Sequence, residues 1–556
     1  MFDILIKNGL VVDGTGAKGF SADVAIKAGR IAEIGRIDGP ARRTIDAKGR
    51  VVAPGFIDPH THFDAQLLWD GAARPALEHG VTSIVQGNCS LSLAPMRVKD
   101  RPYVVGMFQQ IEEMPPEAFT IAFKWTWEDF AGYCAAIEPN LQINVAPLVG
   151  HTAIRQWVMG DAASMRAANP DEIKAMQAML RECLKAGAIG LSTSYIDGDA
   201  KGRPVPSRYA QFSELDALAE VLGEFGRMLQ VVPEFYDADL TIARIDQLAE
   251  LSIKHKIPTT FSPVFDSPST PHNVARQIAR VEEQTARGAR IHPQMQTRPV
   301  DISFSLLRPS LFFARFPLWY RILRQPLEAR LASLRDLQTV KKLIADAGPN
   351  GGADMMGVLQ VRGGDAAPSE LIGRTLASIA AGRGETPAGA LISLSLEHGL
   401  DVAFLASHVG HNDTARIGPF LAHPLMHIGA SDGGAHMSSF ATYGDTGYLF
   451  SEFVRKSGAL TLEQAVRKIT AETANIWGIK DRGQLKTGWA ADVVIFDPQT
   501  IARGEERAVF DMPGEGMRYI RDAIGIDAVL VNGEVAYAGG KYTYAKPGVV
   551  VEGVGA

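Results

Sequence analysis

Residues 51–64 read VVAPGFIDPHTHFD, an apolar run that carries the backbone into a buried strand and ends in His60-Thr61-His62. Side chains on a strand alternate faces, so both imidazoles point to the same side. Two neutral imidazoles at the rigid tip of a strand make half of a site for a divalent transition metal. A bare His-x-His is equally compatible with two polar residues where a strand meets a loop, so the remaining ligands must be sought along the chain.

Upstream of this stretch, residues 2–12 alternate as a strand, Gly14 to Gly16 make a turn, and 22–26 and 30–34 read as two further short strands. Near the other end, ADVVIFD (491–497) and AVLVNG (528–533) have the same character. Both ends of the chain therefore read as one small β domain, residues 1–54 with 484–556, and the middle, 55–483, as a unit inserted between them. In that middle, strand patterns at 81–87, 143–149, 187–192, 228–233, 257–262, 290–296, 402–407 and 426–430 alternate with helical patterns at 171–186, 213–226, 241–254, 371–382 and 461–475. Repeated β then α means a parallel sheet, and the length suits a (β/α)8 barrel, whose reactive groups sit at the C-terminal ends of its strands. With the opening strand there are nine candidates for eight places. An aromatic-rich insertion around 300–345 breaks the rhythm: residues 303–324, SFSLLRPSLFFARFPLWYRILR, are too interrupted by arginine and proline to span a bilayer. An insertion packed on the barrel is the simpler expectation, and a lid that dries the pocket is the other.

Composition narrows the partners. The 556 residues are 46% hydrophobic and 21% charged, with a formal net charge of -6. That balance describes an ordinary globular chain with no basic footprint for nucleic acid and no polybasic membrane signal. A small molecule is the expected partner, and an assembly of identical copies is compatible with the same composition. The opening MFDILIKNGLVVDGTG lacks the pattern of a secretory signal, so a cytoplasmic address is expected. Three widely spaced cysteines, Cys89, Cys134 and Cys183, argue against a disulfide framework. Cys134 and Cys183 fall in helical patterns and read as core.

Chemistry-bearing residues recur where strands end. After His60 and His62 come Gly87-Asn88-Cys89-Ser90, Gly150-His151-Thr152, Ser192-Thr193-Ser194-Tyr195, Pro233-Glu234-Phe235, Phe261-Ser262-Pro263, Ser407-His408 with His411, and Gly429-Ala430-Ser431-Asp432-Gly433. Asp432 follows a short apolar run and precedes glycine, so its carboxylate can stand at a strand tip as a third ligand beside the histidines, leaving room for water. Arg298 or Arg155 could receive a substrate carboxylate by a two-pronged hydrogen bond, although a salt bridge within the barrel is the commoner use of such residues. His151, Tyr195, Arg298 and His408 are the candidates to touch substrate.

PGFIDPHTHFD, GNCSLSLAP, LVGHTAIRQWVMG, GAIGLSTS and IGASDG, with the terminal ADVVIFDP and VLVNGE, together resemble the amidohydrolase superfamily, and within it the N-acyl-D-amino-acid deacylase (D-aminoacylase) branch. The resemblance covers nearly the whole chain and implies a metal-dependent (β/α)8 barrel with a small β-sandwich built from both chain ends. It assigns metal binding to His60 and His62, the metal-binding thiolate to Cys89, and the carboxylate that deprotonates the attacking water to Asp432. It also implies a histidine at the ends of the fifth and sixth strands, where this chain reads VVPEFYD and TTFSPVFD and has none. Glu234 is offered as a replacement ligand, and His408 and His411 as substitute imidazoles. Zinc, as one or two ions, is the expected cofactor. The reading that follows is a hydrolase cleaving the amide bond of an N-acyl amino acid or similar small compound by metal-activated water. The departure on the fifth and sixth strands keeps two alternatives in view: a hydrolase or acyl-transfer enzyme for a lactone, cyclic amide or peptide-like amide, and a barrel that binds without catalysing.

Overall fold

The structure, a computed structural model, describes residues 1–551 apart from 268–269, 309–311, 314–315, 353–354, 364–366 and 430; the side chains of 350 and 408 also lie outside the described residues. Eight parallel strands make the barrel: Phe56–Thr61, Val81–Gln86, Asn144–Pro147 continuing as Val149–Gly150, Gly190–Ser194, Met228–Val232, Thr259–Phe261, Ile291–Met295 and His427–Ile428. Each pairs with the next in chain order. Thr61 beside Gly433 closes the ring. Covered by helices outside and side chains inside, these strands are buried on both faces, so Val81–Gln86 is buried along its whole length instead of alternating. Local signals start the outer helices. Asn169 and Glu172 form a reciprocal capping box at Pro170–Lys185, and the Asp237 carboxylate accepts from the amides of Asp239 and Leu240 at the head of Ala238–His255. Cys134 and Cys183 are both buried on helices, Phe130–Ile137 and Pro170–Lys185.

The ninth strand candidate belongs elsewhere. Ala403–Gly410 pairs antiparallel with Val300–Phe304 and with Gln360–Gly363, outside the barrel. The aromatic stretch is the core of this inserted sheet and its helices: Phe304, Phe313, Trp319, Leu391 and Phe404 bury one another in a cluster separate from the barrel core. The Phe304 and Phe313 rings are 4.8 Å apart and edge to face, a favoured geometry for aromatic pairs. The apolar 402–407 run resembles a barrel strand because it too is buried on both sides, by a different core. The inserted unit is tied to its surroundings by the Ser303 amide donating to the Ser439 carbonyl at 2.6 Å and by an Arg362–Glu506 ion pair at 2.6 Å.

Both chain ends share one nine-stranded sheet. The long first strand, Phe2–Val11, pairs with Phe20–Lys27, with Ala41–Asp46 over its first half and with Val51–Pro54 over its second, so the sheet divides into two layers. Ile4, Ile6, Val24, Ile26, Val493 and Leu530 fill the space between. Val493–Phe496 joins the late strands to the early ones by pairing with Val51–Pro54. Val51–Pro54 then passes through Gly55 directly into the first barrel strand, so the β-sandwich anchors the base of the strand that carries His60 and His62. No described helix is long and apolar enough to cross a membrane.

Candidate metal centre

The first strand delivers His60 and His62, each 2% exposed, with the His62 amide donating to the Gly433 carbonyl at 2.7 Å. Both Nε2 atoms face the Cys89 Sγ, at 3.4 Å from His60 and 3.6 Å from His62. Asp432 Oδ1 enters from the eighth strand, 3.1 Å from His60 Nε2 and 3.7 Å from His62 Nε2. Among the described residues, His60, His62 and Cys89 bring three metal-type donor atoms within 4.8 Å of one another. Two imidazoles and a thiol that converge, with a carboxylate beside the imidazoles, are a zinc-type donor set that mixes nitrogen, sulfur and oxygen.

The loops that present these groups hold non-glycine residues in the left-handed region: Cys89 (φ 56), Ser90 (φ 69), Asp432 (φ 57) and His436 (φ 50). Such backbone costs roughly 1–3 kcal/mol per residue and persists only where the surroundings over-determine it. At Cys89 they do. Ser192 Oγ accepts from the Ser90 amide at 3.1 Å, Ser90 Oγ donates to Thr152 Oγ1 at 2.7 Å, and the Asn88 side chain donates to the Thr61 and Val85 carbonyls. Glycine allows the close approach: a Cβ on Gly87 would lie 2.4 Å from the Leu148 carbonyl oxygen, and one on Gly150 would lie 2.3 Å from that of Ser90. At Asp432, Ser431 Oγ donates to Asp58 Oδ2 at 2.6 Å, and Arg298 Nη2 donates to the Ser431 carbonyl at 2.5 Å.

Charge is concentrated here. Burial would raise the Asp432 carboxyl, but hydrogen bonds with His60 and His62 outweigh it and hold it well below the usual carboxylate range. Burial would likewise depress His62, but the Glu112 carboxylate, with Cys89 and Asp432 against its other nitrogen, holds its imidazole well above the ordinary histidine range. Burial pushes the Cys89 thiol up to about 12, against the pull of His62. Burial also lifts Asp58 and Asp64 to about 7. A bound cation would displace the protons that His62 Nε2 and the Cys89 thiol hold in its absence.

The other candidates separate from this cluster. Glu234 is not among the converging donors; its carboxylate takes a two-pronged pair from Arg244 at 2.9 and 3.1 Å, because that guanidinium reaches it from the following helix. His151, 1% exposed, is held between Thr193 Oγ1 at 3.0 Å and Glu214 Oε1 at 2.8 Å, and Glu214 also pairs with Arg155. Arg298 lies 2.8 Å from Asp445, making it a brace behind Ser431-Asp432. Tyr195 is half-buried, with the Arg244 guanidinium 3.6 Å from its ring centroid. His408 lies on the inserted strand Ala403–Gly410, and its side chain is outside the described residues. His411 accepts from the Asp266 amide at 3.4 Å, and burial pushes it down to about 3.

Four participants carry no motif in the sequence. Glu112 Oε1 lies 2.9 Å from His62 Nδ1, bent away from hydrogen-bond geometry. Its neighbour Glu113 accepts from Ser438 and Ser439, clamping the loop after Asp432. The signal available was two adjacent acids ending an apolar helix. Ser262 Oγ stands 2.9 Å from His60 Nδ1, and Gln230 bonds Ser262; Ser262 directly follows the sixth strand, an end the sequence marks without giving it a role, and Gln230 lies within the fifth, where a neutral side chain gives no hint of a site.

With this geometry in hand, likeness to known proteins is informative. A model described as the amidohydrolase family matches residues 43–287 and 365–537, leaving out the stretch where the insertion begins. The N-acyl-D-aspartate deacylase of Alcaligenes xylosoxydans xylosoxydans is 29% identical over 563 residues, covering 99% of this chain and 95% of that protein. The N-acyl-D-glutamate deacylase of the same organism is 30% identical over 541 residues, covering 96% and 93%. Among solved structures, N-acyl-D-glutamate deacylase from Bordetella bronchiseptica, complexed with zinc and a phosphonate mimic of the tetrahedral intermediate, is 26% identical with a TM-score of 0.69 over 99% of both chains. A D-aminoacylase studied for its binuclear metal centre, with one-metal activation and second-metal attenuation, is 27% identical with a TM-score of 0.69, covering 99% of this chain and 100% of that one.

Proposed function

The chain belongs to the amidohydrolase family, and from that premise we propose that it is a zinc-dependent hydrolase cleaving the amide bond of N-acyl-D-amino acids, the substrates for which its relatives are named. The observation that carries this reading is the convergence of His60 Nε2, His62 Nε2 and Cys89 Sγ on one point, with Asp432 Oδ1 3.1 Å from the first of them. These four residues would hold the ion. When bound, it supplies Lewis acidity, which lowers the pKa of water and polarises the scissile carbonyl.

The remaining steps belong to the protein. Asp432, held as a carboxylate, accepts a proton from the attacking water and returns it to the departing nitrogen. Glu112, an acceptor only, favours a proton on His62 Nδ1 and so leaves Nε2 free to ligate. Arg298 and Ser431 fix the strained turn that aims Asp432. Tyr195, half-buried at the tip of the fourth strand, is the candidate that can still meet substrate. The division of labour we assign is a β-sandwich of 1–54 with 484–556 and a catalytic barrel of 55–483.

Purified protein offered N-acetylated D-aspartate, D-glutamate and D-methionine beside their L forms should hydrolyse members of the D series, lose that activity to a chelator and regain it with zinc. Turnover of lactones or cyclic amides with none of the D series would contradict the substrate; turnover indifferent to chelation would contradict the metal.

A further inference from the structure

At the fifth and sixth strands, where the resemblance implies a histidine each, the side chains that reach the candidate ligands are neutral. Gln230 Oε1 accepts from the Cys89 amide at 3.3 Å, Gln230 Nε2 donates to Ser262 Oγ at 3.1 Å, and Ser262 Oγ meets His60 Nδ1 at 2.9 Å. Both side chains are fully buried and uncharged. They form a chain of hydrogen bonds that runs from one metal ligand to another. The charged groups farther round are engaged: Glu234 with Arg244, and Asp266 with Arg416 at 2.7 and 2.9 Å.

We propose that this chain builds a one-zinc centre, and that Gln230 and Ser262 are its positioning residues, occupying the places from which a second ion would be held. The inference rests on the reading of His60, His62, Cys89 and Asp432 as ligands. Its physical basis is the chemistry of the two supports. For His60 Nε2 to ligate, its proton must sit on Nδ1, and for it to donate to Asp432 without metal, the proton must sit on Nε2. A hydroxyl can accept from Nδ1 or donate to it, so Ser262 supports both tautomers. A histidine or carboxylate at that position could serve as a ligand; a neutral hydroxyl already hydrogen-bonded to an amide is far weaker. Gln230 joins the two ligands mechanically, because the amide that holds Ser262 also holds the Cys89 backbone in its left-handed turn. Outer supports of this kind typically account for 10–100-fold in metal affinity.

The test is to titrate the metal-free full-length protein with zinc against a chromophoric chelator, then to repeat with cobalt and follow the thiolate charge-transfer band. The inference expects one tight equivalent per chain and a cobalt–thiolate band from Cys89. Ser262→Ala and Gln230→Ala should keep one equivalent and the band, with affinity lower by 10–100-fold, and Ser262→Thr, which retains the hydroxyl, should restore it. Two tight equivalents in the unaltered protein would overturn the one-metal centre. Unchanged affinity in both alanine variants would overturn the positioning role. No tight equivalent at all would overturn the ligand assignment beneath both, so the two failures are distinguishable.

Discussion

The tips of the first, second and eighth barrel strands present His60, His62, Cys89 and Asp432, while the tips of the third to sixth present His151, Glu234 and Asp266, residues of the same types on the same face of the same barrel. The two arcs differ in how charge is satisfied. On the far arc the three groups just named are each paired: His151 with Glu214, which also takes Arg155, Glu234 with Arg244, and Asp266 with Arg416. On the near arc the donors face one another across 3.1–3.7 Å, with no lysine or arginine among the four. A candidate ligand is therefore recognised by a donor atom left facing other donors, as His62 Nε2 is even with Glu112 at its Nδ1, more than by its residue type or its place at a strand end.

Asp432→Asn strikes the near arc at its proton carrier and should have the largest effect. Asparagine tolerates the left-handed backbone at φ 57, so the fold should survive while turnover falls by about a thousandfold. Thermal melting checks the first half and initial rates the second; undiminished turnover would remove Asp432 as the base. Glu214→Gln tests the far arc as a structural brace. It leaves Arg155 buried without its counter-ion and should destabilise the protein by about 3 kcal/mol, with zinc content unchanged. Burial would raise the Glu214 carboxyl, but His151 and Arg155 outweigh it and hold it below the ordinary 4.5. The folded value thus lies below the unfolded one, so this stabilisation is complete above the ordinary value and is lost as pH falls through the folded value. Melting temperature against pH should accordingly show a shallower acid limb in Glu214→Gln than in the unaltered chain. The smallest effect is expected from Glu234→Gln, which should leave the zinc bound per chain untouched; loss of zinc there would place Glu234 on the near arc after all.

Much of this arrangement was legible in the sequence. Period-two spacing aligned His60 with His62, and strand ends marked Cys89 and Asp432, because a barrel gathers its strand tips whatever lies between them. What was not legible has physical reasons. The 402–407 run satisfied the pattern of a buried strand, and no local signal says which core buries it; its partner Val300–Phe304 is a hundred residues away in sequence. Glu234 resembled a ligand until Arg244, ten positions on, was seen to reach it. Gln230 was invisible, and Ser262 was marked as a strand end without a role, because their contribution lies in being neutral and correctly placed, which only the contacts with Cys89 and His60 reveal.

The most direct test of the contrast between the arcs is an anomalous-scattering map, at the zinc edge, of crystals grown with zinc in excess. The account predicts one strong peak per chain, enclosed by His60 Nε2, His62 Nε2, Cys89 Sγ and Asp432 Oδ1, and none near Glu234 or Gln230. Two peaks of comparable height, or one displaced to the far arc, would contradict it.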